Sequence, residues 1–166
     1  GPGSSLHLAA EYFCQQAGIQ LNHIPYRGSA PAMADLMAGN VKLMFDSLAA
    51  ALPHIQGGRV SALGVTSGAR MPQVPDLPTV AEAAGLPGFE ILGWAGLIAP
   101  AGTPAPVVDR LASETLALVR GDALAKRIIE LGATPAPLGP AAFGRYIRSE
   151  LVKLRGIAQA ADVRLD

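Results

Sequence analysis

The sequence predicts an α/β protein, a largely parallel sheet flanked by helices. Three observations carry that prediction. Apolar stretches of strand type take turns with stretches of three- and four-residue apolar spacing, the connections between them are short, and Gly, Pro or a small polar residue marks nearly every junction. Short strand-to-helix connections that repeat in this way make successive strands run in the same direction.

Each element has a local reason. Residues 6–17 form the first predicted helix, with Leu6, Ala9, Ala10, Phe13 and Ala17 on one face, Ser4 or Ser5 as cap and Gly18 as stop. Residues 19–24 alternate apolar and polar between Gly18 and Pro25 and predict a strand. Residues 30–38 predict a second helix, capped by Ser29, with Pro31 in the first turn and Gly39-Asn40 behind it. The pattern then repeats: a strand over 41–45, a cap at Asp46-Ser47, a helix over 48–56 that contains Pro53, and a strand over 60–65. Gly68, Pro72, Pro75 and Pro78 break the stretch 67–78. Thr79 with Glu82 three residues on is a capping box for a short helix ending near Ala84. Residues 89–99 read as one long buried strand. Beyond Pro100 the composition turns helical over 107–119, 123–131 and 141–160, and that shift suggests a lobe boundary near residue 100.

Composition narrows the function classes. The chain has 166 residues, thirteen Lys+Arg against thirteen Asp+Glu, 50% hydrophobic and 16% charged residues. Its mean hydropathy is +0.32. Such a chain can bury a core. Zero net charge argues against coating nucleic acid or anionic lipid, which needs clustered Lys and Arg. The apolar run 91–99 is interrupted by Gly93 and Gly96 and is far shorter than the roughly 20 residues of a spanning helix. One cysteine, Cys14, excludes an internal disulfide, and within its helix it reads as a packed small hydrophobe. His7, His23 and His54 lack metal-site spacing, so no metal and no cofactor are expected.

Three junctions place small polar residues at a helix start: Gly3-Ser4-Ser5, Gly28-Ser29-Ala30 and Asp46-Ser47. In open α/β sheets ligands sit outside the carboxyl ends of the strands. Helix starts there offer unpaired N–H groups and the positive end of the helix dipole, which suit an anion. The same residues are also ordinary helix caps, and each junction alone is explained that way. Asp46 reads either as a cap for Leu48 or Ala49 or as an acceptor for a ligand's polar group or a bridging water. His7, in the first turn of its helix, reaches toward the same edge, whereas His23 reads as a strand or surface residue. Trp94, between Gly93 and Gly96, reads as a core residue or as the wall of a hinge.

No nucleophile elbow, phosphate loop, dinucleotide fingerprint or zinc-protease motif occurs, and the sequence around Ser4 carries only the leading glycine of an elbow. The serines, histidines and Asp46 therefore carry no positive sign of catalysis.

Several long strings then follow one another: Gly-Pro-Gly-Ser-Ser-Leu-His-Leu-Ala (1–9), His-Ile-Pro-Tyr-Arg-Gly-Ser-Ala-Pro-Ala (23–32), Leu-Met-Phe-Asp-Ser (43–47), Val-Pro-Asp-Leu-Pro-Thr-Val-Ala-Glu-Ala (74–83) and Trp-Ala-Gly-Leu-Ile-Ala-Pro-Ala-Gly-Thr-Pro (94–104). Together they resemble the tripartite tricarboxylate transporter substrate-binding family, the Bug or TctC receptors, along the whole chain. The resemblance implies a periplasmic solute-binding protein of the two-lobed type II fold. Such a protein captures a small organic carboxylate or amino acid and delivers it to a membrane permease, without catalysis, metal or nucleic acid. It implies ligand contacts from Gly3, Ser4, Ser5, Gly28, Ser29, Ala30 and Asp46, with His7 beside them. Residues 1–92 would be the second lobe, incomplete at its start, 93–104 the crossover, and 105–166 C-terminal helices of the first lobe. Because family members are roughly twice this length, the chain is expected to be a C-terminal portion without its signal peptide. Self-association through the uncovered first-lobe face is then expected. The competing expectation is a ligand-sensing or structural interaction module with the same fold.

Overall fold

The structure, a computed structural model, describes residues 1–163. Seven helices form among them: α1 (Ser5–Ala17), α2 (Ser29–Met37), α3 (Leu48–Gln56), α4 (Val80–Ala84), α5 (Ala105–Arg120), α6 (Asp122–Glu130) and α7 (Pro140–Ala160). Their ends follow local chemistry. The Ser4 hydroxyl accepts from the His7 N–H at the start of α1, and Gly18 closes it at φ 64° with its N–H on the Cys14 carbonyl. At α4 the capping box forms in both directions, Thr79 Oγ1 accepting from the Glu82 N–H and Glu82 accepting from the Thr79 N–H. Pro53 is tolerated within α3, whose last turn holds a Gly57 N–H to Pro53 carbonyl bond of 3.2 Å.

The chain divides into two compact units. The first comprises Gly1–Gly93 and the segment from Leu154 onward, the second Trp94–Lys153. In the first unit Leu8 and Ala9 of α1 pack with Phe89, Ile91 and Ile157 into a core. Tyr12, Phe13, Phe45 and Val80 close around it. Phe89 stacks on Tyr12 at a centroid distance of 4.9 Å and meets Phe13 edge-on at 6.2 Å. Gln15 on α1 donates its side-chain N–H to the Ile157 carbonyl at 3.0 Å and ties the last turns of α7 to this core. In the second unit α5 and α6 adjoin, and Trp94 makes T-shaped contacts with Phe143 (5.5 Å) and Tyr146 (5.9 Å) of α7. Trp94 is still 44% exposed, and a Cβ on Gly96 would fall on the Phe143 ring.

The expected strands are where structure and sequence part. Residues 19–25, 43–47, 61–64 and 89–99 lack helix, yet among the described residues they form no ladder. The bridging there is an isolated parallel bridge, Val65 to Thr79, with Val65 N–H on the Pro78 carbonyl (2.9 Å) and Val80 N–H on the Val65 carbonyl (2.8 Å). The Ile91 N–H adds a bond to the Thr66 carbonyl at 2.9 Å. Strand propensity describes side chains that suit a half-buried pleated surface, and a ladder needs a second segment alongside to provide that surface. Here Ile19, Leu21 and Ile24 stay 44–48% exposed and Leu63 67% exposed. The stretch 89–99, expected to be buried throughout, is buried only at Phe89 and Ile91, and Leu97 and Ile98 lie open at 76% and 89%.

Candidate functional site

All the candidate residues lie in the first unit, at the starts of α1, α2 and α3. The three starts differ in what occupies them. At α1, Ser4 caps through its hydroxyl, the Gly3 N–H donates to His7 Nδ1 at 3.0 Å, and His7 Nε2 stands 3.4 Å from Glu11 Oε1. Both ring nitrogens of His7 are therefore engaged within the chain. The His7 ring also stacks on His23 with centroids 3.9 Å apart and planes 16° apart. Ser5 is exposed on the first turn, 3.7 Å from the point a Cβ on Gly93 would occupy.

At α2 the expected arrangement shifts by one residue. The cap is Gly28, at φ 118° and ψ 176°, and no side chain caps this helix. Ser29, read as the cap in sequence, is the first helical residue instead. Its hydroxyl is thereby released and donates to Asp46 Oδ2. Ala30, next in the first turn, is exposed. At α3 the cap is Ser47, which accepts from the Ala50 N–H at 3.3 Å, so Asp46 does not cap Leu48 or Ala49. The Asp46 carboxylate accepts from the Ser47 N–H through Oδ1 at 2.8 Å and from Ser29 through Oδ2, which joins the starts of α2 and α3. Of the three starts, α2 is the one whose first amides have no side-chain acceptor.

Sequence reasoning missed the neighbours that hold this region. Tyr26 donates its hydroxyl to Asp35 Oδ2 at 2.6 Å, and Asn40 donates its amide to Asp35 Oδ1 at 3.0 Å. This ties the segment entering Gly28 to the body of α2. Tyr26 lies outside any helix, so no periodicity could pair it with Asp35. The His7–Glu11 pair was missed as well, although its i,i+4 spacing was the signal that could have found it. Cys14 is partly buried, and burial, then the Glu11 charge, pushes its thiol up, which keeps it a thiol.

The Tyr26–Asp35 bond predicts an acid response. The Tyr26 hydroxyl, then the Asn40 amide, hold the Asp35 carboxyl below the usual carboxylate range. A depressed folded-state value means this stabilisation is complete above the unfolded value and is lost as pH falls through the folded one. Melting temperature is expected to drop as pH falls below the ordinary carboxylate value of 3.8, and less steeply in Tyr26→Phe. Parallel melting curves for the two proteins would show that the bond does not set the response. The same bond raises Tyr26, so its contribution also fades as pH rises above the ordinary tyrosine value of 10.0.

Comparison with known proteins gives this geometry its context. The chain resembles solved periplasmic binding proteins along nearly its whole length. A protein described as "R. palustris Rpa4515 with adipate" superposes with a TM-score of 0.87 at 35% identity, over 96% of this chain and 53% of that one. The "periplasmic binding protein BugD" superposes with a TM-score of 0.80 at 35% identity, over 97% and 54%. The fold is the one these periplasmic binding proteins share. A profile of the tripartite tricarboxylate transporter family receptor, TctC, matches residues 1–163, and the chain belongs to that family. A UPF0065 protein from the tcbD-tcbE intergenic region of Pseudomonas sp. (strain P51) is 45% identical over 150 residues, 90% of this chain and 45% of that protein. The chain thus spans about half the length of these three similar proteins. No helix among the described residues is long and apolar enough to cross a membrane.

Proposed function

We propose that this chain is the ligand-gripping second lobe, with C-terminal helices of the first, of a periplasmic receptor that captures a small dicarboxylate. The receptor delivers it to a tripartite-type membrane permease and carries out no chemistry on it. The observation that carries this reading is the Ser29–Asp46 hydrogen bond beside the uncapped start of α2. One carboxylate of the ligand meets the Ser29 and Ala30 N–H groups and the positive end of the α2 dipole, where an anion replaces the missing cap. Gly28 lets the ligand approach the backbone. Ser29 and Asp46 order the polar side of the site, Asp46 accepting from a ligand hydroxyl or amine or from a bridging water. Gly3, Ser4, Ser5 and His7, at the start of α1, line the adjoining edge. Membership of the receptor family and the adipate that accompanies a similar solved protein support a dicarboxylate.

Adipate is the probe to use first. A ligand that binds the folded state raises its melting temperature by mass action. Adipate is expected to raise it in a concentration-dependent way, more in a receptor of full family length than in this chain. Ser29→Ala keeps the backbone N–H but releases the Asp46 carboxylate that the hydroxyl holds, leaving that charge free beside an anionic ligand, and is expected to weaken adipate binding about tenfold. No response to adipate or to other small dicarboxylates, in either protein, would overturn the proposal.

A further inference from the structure

We propose that the stacked His7–His23 pair is a proton-operated latch on the first turn of α1, closed when both rings are neutral and opened by protonation of His7. The geometry of the closed state is explicit. His7 Nδ1 accepts the Gly3 N–H at 3.0 Å, so the ring carries its proton on Nε2, which faces Glu11 Oε1 at 3.4 Å. The His7 side chain is only 9% exposed, and its open face is covered by the His23 ring at 3.9 Å.

Adding a proton changes two contacts at once. An imidazolium carries N–H on both nitrogens, so Nδ1 turns from acceptor to donor and points at another donor, the Gly3 amide. That bond is lost and the Gly3 N–H turns outward. The stack also comes to hold positive charge against a second imidazole, and two cations at this separation repel. Two charged groups act on the pair from outside it. Glu11, one turn along α1, favours the protonated state. The Gly1 ammonium, at the start of the chain, acts on His23 in the opposite sense. Consistent with a pair that resists double protonation, burial, then the His7 charge, hold His23 below its ordinary value. The latch thus goes beyond ligand capture and does not depend on it: pH sets whether the turn leading into α1 is pinned to its own helix.

The test is a titration of the nitrogen-15-labelled chain followed through the histidine rings and the Gly3 amide, from about pH 8 to about pH 5. His7 is expected as the Nε2–H tautomer at the alkaline end. The Gly3 amide is expected to shift with the midpoint of the His7 ring. His7→Asn keeps an acceptor for the Gly3 N–H but removes the titrating ring. In that variant the Gly3 amide is expected to lose its imidazole-linked shift and the His23 midpoint to move upward. An Nδ1–H tautomer at the alkaline end, a Gly3 amide indifferent to the His7 ring, or an unmoved His23 midpoint would each overturn the latch. The wild-type titration decides the first two without any variant.

Discussion

Phe89→Ala is expected to cost about 3–5 kcal/mol, enough to remove most of the stability of the first unit. Phe89 is 2% exposed and is the largest side chain of a core otherwise made by Leu8, Ala9, Ile91 and Ile157. Its ring closes that core against two further aromatics, stacked on Tyr12 and edge-on to Phe13. Alanine therefore removes the buried apolar area of the ring, both aromatic contacts and the filling of the space between α1 and the stretch that follows α4. The cost of such a cavity depends on how far the surroundings collapse, and Tyr12 and Phe13 are held by α1. Urea denaturation should show the midpoint moving sharply down with little change in slope. Phe89→Leu, which keeps much of the volume, is expected to lose less than half as much. Equal losses from the two substitutions would mean that the aromatic contacts, and not the volume, carry the energy.

Gly28→Ala is expected to cost about 1–3 kcal/mol, and through the backbone alone. At φ 118° and ψ 176° Gly28 occupies a region essentially reserved for glycine. Beyond its own chain neighbours no atom lies within 4 Å of where a Cβ would sit, so crowding by the surroundings plays no part. Asparagine provides the control. At Gly18, with φ 64°, it should be tolerated well, because asparagine enters the left-handed helical region easily. At Gly28 it should fare no better than alanine. Thermal melts of alanine and asparagine variants at the two positions test this directly. If Gly28→Ala relaxes the strain by re-forming α2 with a different first residue, the α2 start moves, and adipate binding should fall further than stability does.

Much of the architecture was readable before any coordinates. The seven helices appear where periodicity put them, and the capping box at Thr79 and Glu82 forms in both directions. Caps and apolar periodicity act within four or five residues, so a linear reading captures them. The strands were not readable with the same security. The stretches 19–24 and 41–45 carry strand-type residues, but pairing depends on what lies alongside, which no local pattern encodes.

The candidate site divides the same way. Its residue types and their place at helix starts came from sequence. The exact start of α2 did not: Ser29 looked like a cap, and a shift of one residue hands that position to Gly28 and turns the serine hydroxyl to Asp46. Boundary shifts of this size are small in the chain and large in the chemistry, because a cap and a first-turn residue point their side chains at different partners.

What the sequence by itself determined is the set of helices, the stop of the first at Gly18, and membership of the receptor family. All of these reside in short-range backbone preferences or in the order of the residues themselves. Only the tertiary structure decided that Ser29 meets Asp46, that Tyr26 braces Asp35 and that His7 stacks on His23. These contacts join residues nine to seventeen positions apart in sequence across different elements. They depend on which segments folding brings side by side as apolar surface is buried, and no local spacing prescribes that.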